Sequence, residues 1–445
     1  MVFWNLCETI LNYGGIISPV FIDPKLTNNM GLCNASILYA NDKLHMILRN
    51  VKYTLFCSEG KQRFPSFPEG PLCYYHCENK KALITENFYC EINQKDLSVI
   101  KFMTIDTSDY DTKPKWGFVG LEDARLVHWN DRFFMCGGRR DVKSNGEGRV
   151  ELSELLIDDS HVKEIKRFRI QTPDTENYCE KNWMPIKNNA FSLIKWTNPT
   201  EIVKINIDDY VDTDSLVGTD SLVGTDSLVG TDSLVGTDSL VGTDHYNNHV
   251  KFYKEWGDAL DDTSFAGTNY ESGTNYESDT KSHMLKLRGS NTKFHGLSSS
   301  YTIRKDKRFD LPFQIRGGSQ AIPWMNNTYL SIVHECDMNK TKFNGHIDSS
   351  YYHRFVCWDK SWNVVFISKP FNFMASKIEF CIGLEIIRDE TYITWGHMDN
   401  GCFIMKFKNK YLLHIILNHI TLDVDMINHV PNTPFSNKNM KQNLE

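Results

Sequence analysis

The sequence lacks a surplus of basic residues. Lys and Arg together number 49 against 56 for Asp and Glu, which gives a formal net charge of −7. Surfaces that bind nucleic acids carry a positive excess that neutralises phosphates, so this balance argues against a nucleic acid as the partner. A local basic pocket is compatible with the same balance.

Long apolar runs are absent as well. No window reaches the roughly 18 continuous apolar residues that a membrane helix requires. The first residues, Met1–Glu8, have no basic segment and carry an early acid, which is not the pattern of a secretory signal. We therefore expect no membrane partner and a cytoplasmic protein.

The 12 cysteines show no paired spacing. A zinc site would require two close pairs of ligands, and the nearest cluster, Cys73, His76, Cys77 and Cys90, does not provide them. Unpatterned free thiols are typical of a reducing compartment. We predict free thiols here, no metal and no cofactor, with a zinc site at this cluster as the less favoured alternative.

One segment differs from the rest of the chain in its repetition. Residues 213–242 are five copies of Thr-Asp-Ser-Leu-Val-Gly, and residues 267–278 contain Gly-Thr-Asn-Tyr-Glu-Ser twice. A hexapeptide β-helix has a similar pattern, but each coil takes about 18 residues and a core takes about three stacked units. Residues 213–242 would make fewer than two such coils, so we favour a disordered low-complexity loop over 208–282.

Outside that segment, short apolar runs alternate with turn residues. Asn41-Asp42, Asn130-Asp131, Asn326-Asn327 and Arg388-Asp389-Glu390 are typical of hairpin turns. Long amphipathic helical patterns are missing from the sequence. The predicted fold class is therefore all-β.

Five stretches share one order of features: polar residues, an apolar strand, a tight turn, a second apolar strand and a polar end. Radial repetition of small antiparallel sheets is how a propeller limits its exposed edges. We predict a five-bladed β-propeller, with a β-sandwich or two β domains as alternatives, and expect the polar strand starts to meet at one mouth of its channel. The predicted parts are 1–207 and 283–425 for the propeller, 208–282 for the insertion and 426–445 for a flexible tail. The stretches begin at Asn34, Glu122, Asn182, Gly318 and Glu379.

The strongest chemical motif is Gly120-Leu-Glu-Asp-Ala-Arg125. It places Glu122, Asp123 and Arg125 directly before the apolar run Leu126–Trp129. A carboxylic acid beside an arginine can be tuned by burial and by its neighbours toward general acid catalysis. The alternative is a structural ion pair in which Arg125 orients Glu122, and the residues alone leave both open.

This motif in a five-unit β pattern resembles the β-mannoside phosphorylases of glycoside hydrolase family 130 and the related β-1,2-mannosyltransferases. The resemblance implies a five-bladed propeller in which the Asp of a Glu-Asp-Pro-Arg motif is the general acid, and that Asp matches Asp123. Ala124 stands where the family usually has Pro. Later stretches are similar to less characterised propeller domains found beside glycosyltransferases. These stretches are 180–185, 316–324, 352–356 and 378–384, within a resemblance that spans roughly 30–205 and 285–410.

Cationic residues near strand ends are the candidates for binding phosphate. A phosphorylase takes inorganic phosphate or a sugar phosphate as co-substrate, and the fork of an arginine matches phosphate oxygens. A solvated or paired position at the rim is the alternative for each of them. The candidates are Arg139, Arg140, His334, His353 and Arg354.

Other polar residues at the predicted strand starts are candidates for binding the sugar. Glu180–Trp183 offers donors, an acceptor and an aromatic face, although a capping turn with a core Trp fits the same residues. Glu379 and Asp399 are further acids, and either would serve as a second carboxylate. The predicted substrate-binding residues are Asn34, Arg49, Glu122, Arg125, Glu180, Lys181, Asn182, Trp183, Gln320, Glu379 and Asp399.

These features predict an inverting glycoside phosphorylase or glycosyltransferase of the EC 2.4 type, acting on mannosides or similar sugars. Its substrate would be an oligosaccharide or a sugar phosphate. One alternative is an inverting glycoside hydrolase, which requires an acid and a base about 6.5–9.5 Å apart. Another is a non-catalytic sugar-binding or assembly propeller, because a fold alone does not decide function. The sequence does not give the linkage or the oligomeric state.

Overall fold

The computed structural model of the protein describes residues 3–28, 30–52, 54–56, 73–75, 82–173, 179–197, 199–211, 296–305, 315–343, 346–376 and 378–419. The predicted tail 426–445 lies outside the described residues, as does the predicted insertion from residue 212 onward. His76 and Cys77 of the cysteine cluster lie outside them too. These predictions therefore stay predictions.

The described chain is built almost entirely of strands, which confirms the all-β class. Its two α-helices are short, α1 (Leu6–Asn12) and α2 (Asn409–Asn418), and single 3-10 turns lie at Pro24–Thr27 and Met325–Asn327. The strands in chain order are β1 (Trp4–Asn5), β2 (Ile16–Pro19), β3 (Leu32–Ala40), β4 (Lys43–Val51), β5 (Thr54–Phe56), β6 (Cys73–Tyr75), β7 (Leu83–Ile92), β8 (Val99–Asp106), β9 (Phe118–Val119), β10 (Leu121–Trp129), β11 (Arg132–Arg139), β12 (Arg149–Ile157), β13 (Val162–Ile170), β14 (Met184–Pro185), β15 (Ser192–Trp196), β16 (Glu201–Val211), β17 (Gly296–Lys305), β18 (Ile315–Gly318), β19 (Ile322–Trp324), β20 (Thr328–Phe343), β21 (His346–Trp358), β22 (Val364–Ile367), β23 (Phe371–Asn372), β24 (Glu379–Ile387), β25 (Glu390–His397) and β26 (Gly401–Lys408).

Antiparallel pairing groups most strands into five units, while parallel pairs of β13 with β8 and with β17 join the first three units into one 13-stranded sheet. Unit 1 contains β3, β4, β7 and β8. Unit 2 contains β10 to β13, and unit 3 contains β14 to β17. In unit 4, β18 and β19 pair with β20, which pairs with β21, and β21 pairs with β22 and β23. Unit 5 contains β24, β25, β26 and β2.

The tight turns lie where the Asn and Asp pairs predict them. Asn41-Asp42 joins β3 to β4, Asn130-Asp131 joins β10 to β11, and Asn326-Asn327 precedes β20, and all six residues have positive φ values between 49° and 60°. Two-residue hairpin turns of this kind need two left-handed residues, which Asn and Asp tolerate at low cost. The turn prediction is confirmed at these positions.

Each unit forms a hydrogen bond with the next, and unit 5 forms one with unit 1. These bonds run from Leu126 N to Ser36 Oγ (3.0 Å), Trp129 Nε1 to Ile186 O (3.0 Å), Ala321 N to Pro185 O (2.9 Å), Cys381 N to His353 Nε2 (3.2 Å) and Thr394 Oγ1 to Ala35 O (2.5 Å).

Two buried side chains connect the units, and two of their three bonds join units that are not neighbours in the chain. Arg125 of unit 2 donates from Nε to Gly318 O of unit 4 at 2.8 Å. Gln320, on the segment between β18 and β19, donates from Nε2 to Ile37 O and to Leu384 O, both at 2.7 Å. The first strands of units 1, 2, 4 and 5 therefore approach one another closely enough to share hydrogen bonds.

The chain segments before β3 and after β26 meet on unit 5. β2 pairs with β26 along Ile16–Pro19, and α1 and α2 cover the same apolar cluster. Tyr13 and Tyr411 stack with ring centroids 4.7 Å apart. Stacked aromatic pairs of this kind add about 0.5–1.5 kcal/mol to the burial of their surface. This pairing of distant segments, the clasp, completes the fifth unit.

Neither α-helix in the described part of the chain has the length and apolar character needed to span a bilayer.

Candidate functional site

Two similar β-bulges place the side chains of Asn34 and Asp123 in the candidate site. The pairing of β3 shifts register between Cys33 and Ser36, and that of β10 shifts between Glu122 and Arg125. Asn34 and Asp123 lie inside these bulges with φ values of 45° and 49°. Among residues with a side chain, Asn and Asp occupy this left-handed region most readily, and a bulge turns a side chain out of the regular alternation of a strand. The bulges aim both side chains at the same point.

Asp123 accepts two hydrogen bonds at one oxygen. Asn34 Nδ2 and Arg49 Nη1 both donate to Asp123 Oδ1 at 2.8 Å. Arg49 also donates to Thr85 Oγ1 from Nε at 3.3 Å and from Nη2 at 3.1 Å. The side chains of Arg49 and Asp123 are 7% and 16% exposed, so the ion pair is largely shielded while the carboxylate keeps some access.

The electrostatic surroundings keep Asp123 ionised. Burial raises the pKa of this carboxyl, but Arg49, the Asn34 amide, Arg125 and Lys181 lower it further, and the net pKa lies below the ordinary value. At neutral pH Asp123 is therefore an anion. An acid catalyst must carry a proton before the reaction, so the environment disfavours the predicted acid role for Asp123 in the unliganded protein.

The surroundings of Asp399 raise its pKa, whereas those of Asp123 lower the pKa of that group. Asp399 lies in the turn between β25 and β26 with φ 50°. Burial raises the pKa of Asp399 to about 6, Asp123 and Glu122 add to the rise, and Arg49 and Lys181 oppose it. Two carboxyl groups that interact with each other thus have pKa values moved in opposite directions.

Six of the predicted residues interact in this one place and form what we call the Asp123 cluster. Lys181 belongs to it through its field on both carboxyl groups, and its Cβ lies against Gly138 of β11. Glu122 belongs to it through its repulsion of Asp399. The members are Asn34, Arg49, Glu122, Asp123, Lys181 and Asp399.

Arg125 lies beneath the cluster and is 1% exposed. Its Nη1 donates to the main-chain oxygen of Asp123 at 2.7 Å, while its Nε reaches Gly318 O. It holds the bulge that carries Asp123 through these bonds to main-chain oxygens. The predicted contact of Arg125 with substrate stays a prediction, which this burial disfavours.

Glu180 and Trp183 bond to each other in the core, which disfavours the predicted sugar subsite. Trp183 is 1% exposed, and its Nε1 donates to Glu180 Oε2 at 3.0 Å. Lys195 Nζ lies 3.3 Å from Glu180 Oε1, inside the core of unit 3. The aromatic face is therefore covered by protein. Asn182, with φ 63° and a half-buried side chain, remains a candidate ligand.

Gln320 and Glu379 are also structural. Both donor bonds of Gln320 are used to join units, and its side chain is 1% exposed. Glu379 is fully buried, and its two oxygens accept from the main-chain N–H groups of Phe373 at 2.6 Å, Met374 at 2.7 Å and Ser376 at 3.1 Å. Glu379 thus fixes the loop after β23, which disfavours its predicted contact with substrate.

The predicted phosphate ligands of unit 2 are paired with other groups. Arg139 lies 2.8 Å from Glu151 and 3.4 Å from Asp141, and all three side chains are buried. Arg140 donates from Nε to Gly146 O at 3.0 Å, and its guanidinium lies 4.8 Å from the Phe118 ring centroid. A buried guanidinium whose charge is already balanced by carboxylates is a weak ligand for phosphate.

The predicted phosphate ligands of unit 4 are buried as well. His353 is 0% exposed and accepts from Cys381 N, and burial together with His334 lowers the pKa of His353 well below its ordinary value. His334 forms a hydrogen bond through Nδ1 with Gly317 O. Arg354 pairs with Glu335 and donates from Nη1 to Ser368 O at 2.8 Å. A neutral His353 and a paired Arg354 disfavour the predicted phosphate site, which stays a prediction.

Two residues at the site, Thr85 and Gly396, were not among the predicted ones. Thr85 of β7 accepts a hydrogen bond from Arg49, and a threonine in a strand does not by itself predict that contact. Gly396 of β25 lies against Asn34, because a Cβ at this glycine would fall 2.0 Å from Asn34 Oδ1. A glycine inside a strand is a signal of close approach, and it could have directed attention to this position.

Comparison with known proteins gives similarity in structure alone. No model of a known protein family matches the chain. No curated protein matches it either. Among solved structures the chain is similar to a β-1,2-mannobiose phosphorylase from Listeria innocua in complex with β-1,2-mannobiose, with 10% identity, TM-score 0.40 and coverage of 88% of this chain and 93% of that chain. It is similar to the mannose phosphorylase MPT-4 from Leishmania mexicana in complex with phosphate, with 10% identity, TM-score 0.40 and coverage of 92% and 93%. It is also similar to the GDP-Man-dependent mannosyltransferase MPT-1 from Leishmania mexicana, with 10% identity, TM-score 0.40 and coverage of 88% and 90%. At these TM-scores the similarity assigns neither an activity nor site residues to this chain.

Proposed function

We propose that the five units are the blades of a five-bladed β-propeller whose axis is lined by β3, β10, β14, β18 and β24. The ring of hydrogen bonds from each unit to the next, with unit 5 bonded to unit 1, supports this arrangement. The bonds from Arg125 to Gly318 O and from Gln320 to Ile37 O join non-neighbouring units and support it too, because the inner strands of a closed ring face one another across the axis.

The function we propose is that of a carbohydrate-active enzyme that transfers a glycosyl group with inversion. The observation that carries the proposal is the pair Asp123 and Asp399 in one charged cluster, with pKa values moved in opposite directions. Paired titratable groups whose surroundings separate their pKa values are the usual signature of acid and base roles. The resemblance of Gly120–Arg125 to the family motif supplies the substrate class, a mannoside or a similar sugar.

In this proposal Asp399 is the acid and Asp123 is the anion. Asp399 gives its proton to the glycosidic oxygen as the bond from that oxygen to the anomeric carbon breaks. A nucleophile attacks the same carbon from the opposite face. If the nucleophile is water or a sugar hydroxyl, Asp123 takes its proton. If it is phosphate, the half-buried Lys181 is the cation of the cluster that would hold it, because Arg49 is buried and paired with Asp123 as Arg139 is with Glu151.

Turnover of sugar phosphates tests the proposal. The purified protein is incubated with hexose 1-phosphates, mannose 1-phosphate included, and with mannose or glucose as acceptor, and released phosphate is measured. We expect release that falls about 10²- to 10⁴-fold in Asp399→Asn, the usual contribution of an acid catalyst. Asp389→Asn is the matched control, since Asp389 is an aspartate in a turn whose side chain is 74% exposed.

Hydrolysis is the second candidate, and the same carboxyl pair favours it. Inverting hydrolysis needs one protonated and one ionised carboxyl group flanking the bond, which is the state of Asp399 and Asp123 near pH 6. A hydrolase cleaves aryl mannosides in phosphate-free buffer, whereas a phosphorylase needs phosphate. If the folded protein turns over no substrate in either assay, the enzymatic proposal is wrong and a sugar-binding role replaces it.

A further inference from the structure

The two oxygens of the Asp123 carboxylate are not equivalent. Oδ1 accepts hydrogen bonds from the Asn34 amide and the Arg49 guanidinium, each at 2.8 Å. Oδ2 accepts no hydrogen bond from the side chains or main chain that the structure describes. A carboxylate oxygen that already accepts two donors is less basic than its partner, so Oδ2 is the oxygen on which a proton would be taken up.

Asn34 is built into the protein and is not placed to meet a substrate. Its side chain is 3% exposed, and its backbone is held at φ 45° in the bulge of β3. The amide orientation is fixed by its neighbour, because a flipped amide would place its oxygen against the Asp123 carboxylate. Nδ2 must therefore face Asp123.

Gly396 closes the other side of Asn34. A Cβ at position 396 would lie 2.0 Å from Asn34 Oδ1 and 2.7 Å from Asn34 N, closer than atoms in proteins approach. Asn34 Oδ1 is buried and has no hydrogen-bond partner among the described residues. The amide is thus enclosed between the strand of unit 5 and the carboxylate of unit 2.

We propose that Asn34 is a positioning residue that holds Asp123 Oδ1, so that Oδ2 is the oxygen presented to the reacting substrate, and that Gly396 keeps Asn34 in that place. The catalytic part of this inference rests on the proposed function, whereas the hydrogen bond between Asn34 and Asp123 can be tested without it. It replaces the predicted contact between Asn34 and sugar.

Changing Asn34 to aspartate exchanges the donor for a second anion at the same oxygen. Two carboxylates within hydrogen-bond distance cannot both ionise easily, so one proton is held to higher pH. The other charged and titratable groups around the pair are unchanged by the substitution. They are Arg49 on β4, Arg125 and Glu122 on β10, Lys181 before β14, Asp399 after β25 and Cys33 on β3.

Carbodiimide labelling measures the protonation of each carboxyl group without any turnover. Protonated carboxyl groups react with 1-ethyl-3-(3-dimethylaminopropyl)carbodiimide and glycine methyl ester, and peptide mass spectrometry gives the labelled fraction of Asp123 against pH. Asn34→Asp is compared with Asn188→Asp, which adds the same charge at an exposed asparagine that also has positive φ, 64°. Asn34→Gly keeps the left-handed backbone and removes the amide.

We expect the labelling midpoint of the pair made by Asn34→Asp to rise by about one pH unit or more, and that of Asp123 to rise less in Asn34→Gly. Asn188→Asp should leave the Asp123 midpoint unchanged. If both Asn34 variants match Asn188→Asp, the amide does not hold Asp123 and the inference is wrong. If Asn34→Asp does not fold, the Asn34→Gly midpoint decides alone.

The outcome is separable from that of the proposed function. If the labelling midpoint rises but the protein turns over no sugar, the positioning contact is supported and the enzymatic proposal is rejected. In an active protein, Asn34→Gly should lower kcat more than it raises KM and should shift the alkaline or acid limb of the pH–rate profile, since the contact acts on the reacting carboxylate. A purely structural asparagine would change the unfolding temperature and leave the pH limbs in place.

Discussion

Replacing Asp399 by asparagine is expected to stabilise the protein above pH 6 while it removes the proposed acid. The surroundings of Asp399 disfavour its charged form, because the group is shielded from water and faces Asp123 and Glu122. Asparagine has nearly the same shape and never ionises. The folded protein is thereby relieved of an unfavourable charge, which the unfolded chain carries without penalty.

The magnitude follows from the pKa of Asp399, about 6 when folded against an ordinary value of 3.8. At about 1.4 kcal/mol per pKa unit, ionising Asp399 in the folded state costs roughly 3 kcal/mol. Because the folded pKa is raised, wild type has this roughly 3 kcal/mol in its free energy of unfolding at pH below about 4. It loses the contribution between about pH 4 and 6 and does not regain it at higher pH. With about 2.1 cal/mol/K of unfolding entropy per residue, 445 residues convert 3 kcal/mol into a shift of about 3 °C.

Thermal unfolding of wild type and Asp399→Asn at pH 4.5 and pH 8 measures the effect. The variant should gain about 3 °C at pH 8 and far less at pH 4.5. Asp389→Asn is the control, and at pH 8 it should not stabilise, because Lys408 at 2.9 Å lowers the pKa of Asp389. A gain for Asp399→Asn that is equal at both pH values would refute the assigned pKa and, with it, the division of roles between the two carboxyl groups.

Two further changes separate structure from chemistry. Glu379→Gln should lower the free energy of unfolding by about 2 kcal/mol, because a glutamine offers one acceptor oxygen to three N–H groups; activity per folded molecule should be unchanged, and a loss of activity at unchanged stability in urea unfolding would return Glu379 to the site. Deletion of residues 213–242 should leave the unfolding temperature and any activity nearly unchanged, because an exact short repeat does not supply a core; a large fall in the unfolding temperature would contradict the loop interpretation.

The all-β class and the hairpin turns could be predicted from the sequence because their signals are local. A left-handed Asn-Asp pair between two apolar runs determines a hairpin by itself, so the turns at 41–42 and 130–131 were readable. The motif around Asp123 could be predicted because its signal is local as well. Charged residues at the start of an apolar strand are uncommon, and here they lie beside one another in the chain.

The partners of the candidate residues could not be predicted, because they come from distant strands. Arg139 stands at a strand end as a phosphate ligand would, but Glu151 on β12 meets it, and nothing in the local pattern marks that pairing. Glu379 begins its strand as Asp123 does, yet its side chain turns to the loop at 373–376. Which side of a bulge a carboxylate faces depends on register shifts that a sequence pattern does not show.

The clasp has a consequence for how the protein is made. Ile17 pairs with Met405, so the strand synthesised early has its partner almost 390 residues later. At about 5–20 residues per second, a ribosome needs roughly 20–80 seconds to deliver that partner. Throughout this interval β2 presents an unpaired strand edge, and α1 presents the apolar residues Leu6 and Ile10 that the finished core encloses. Long-range pairing of this kind folds slowly and exposes the nascent chain to aggregation, so the yield of native protein should depend on chaperones that shield this early segment more than on the stability of the finished fold.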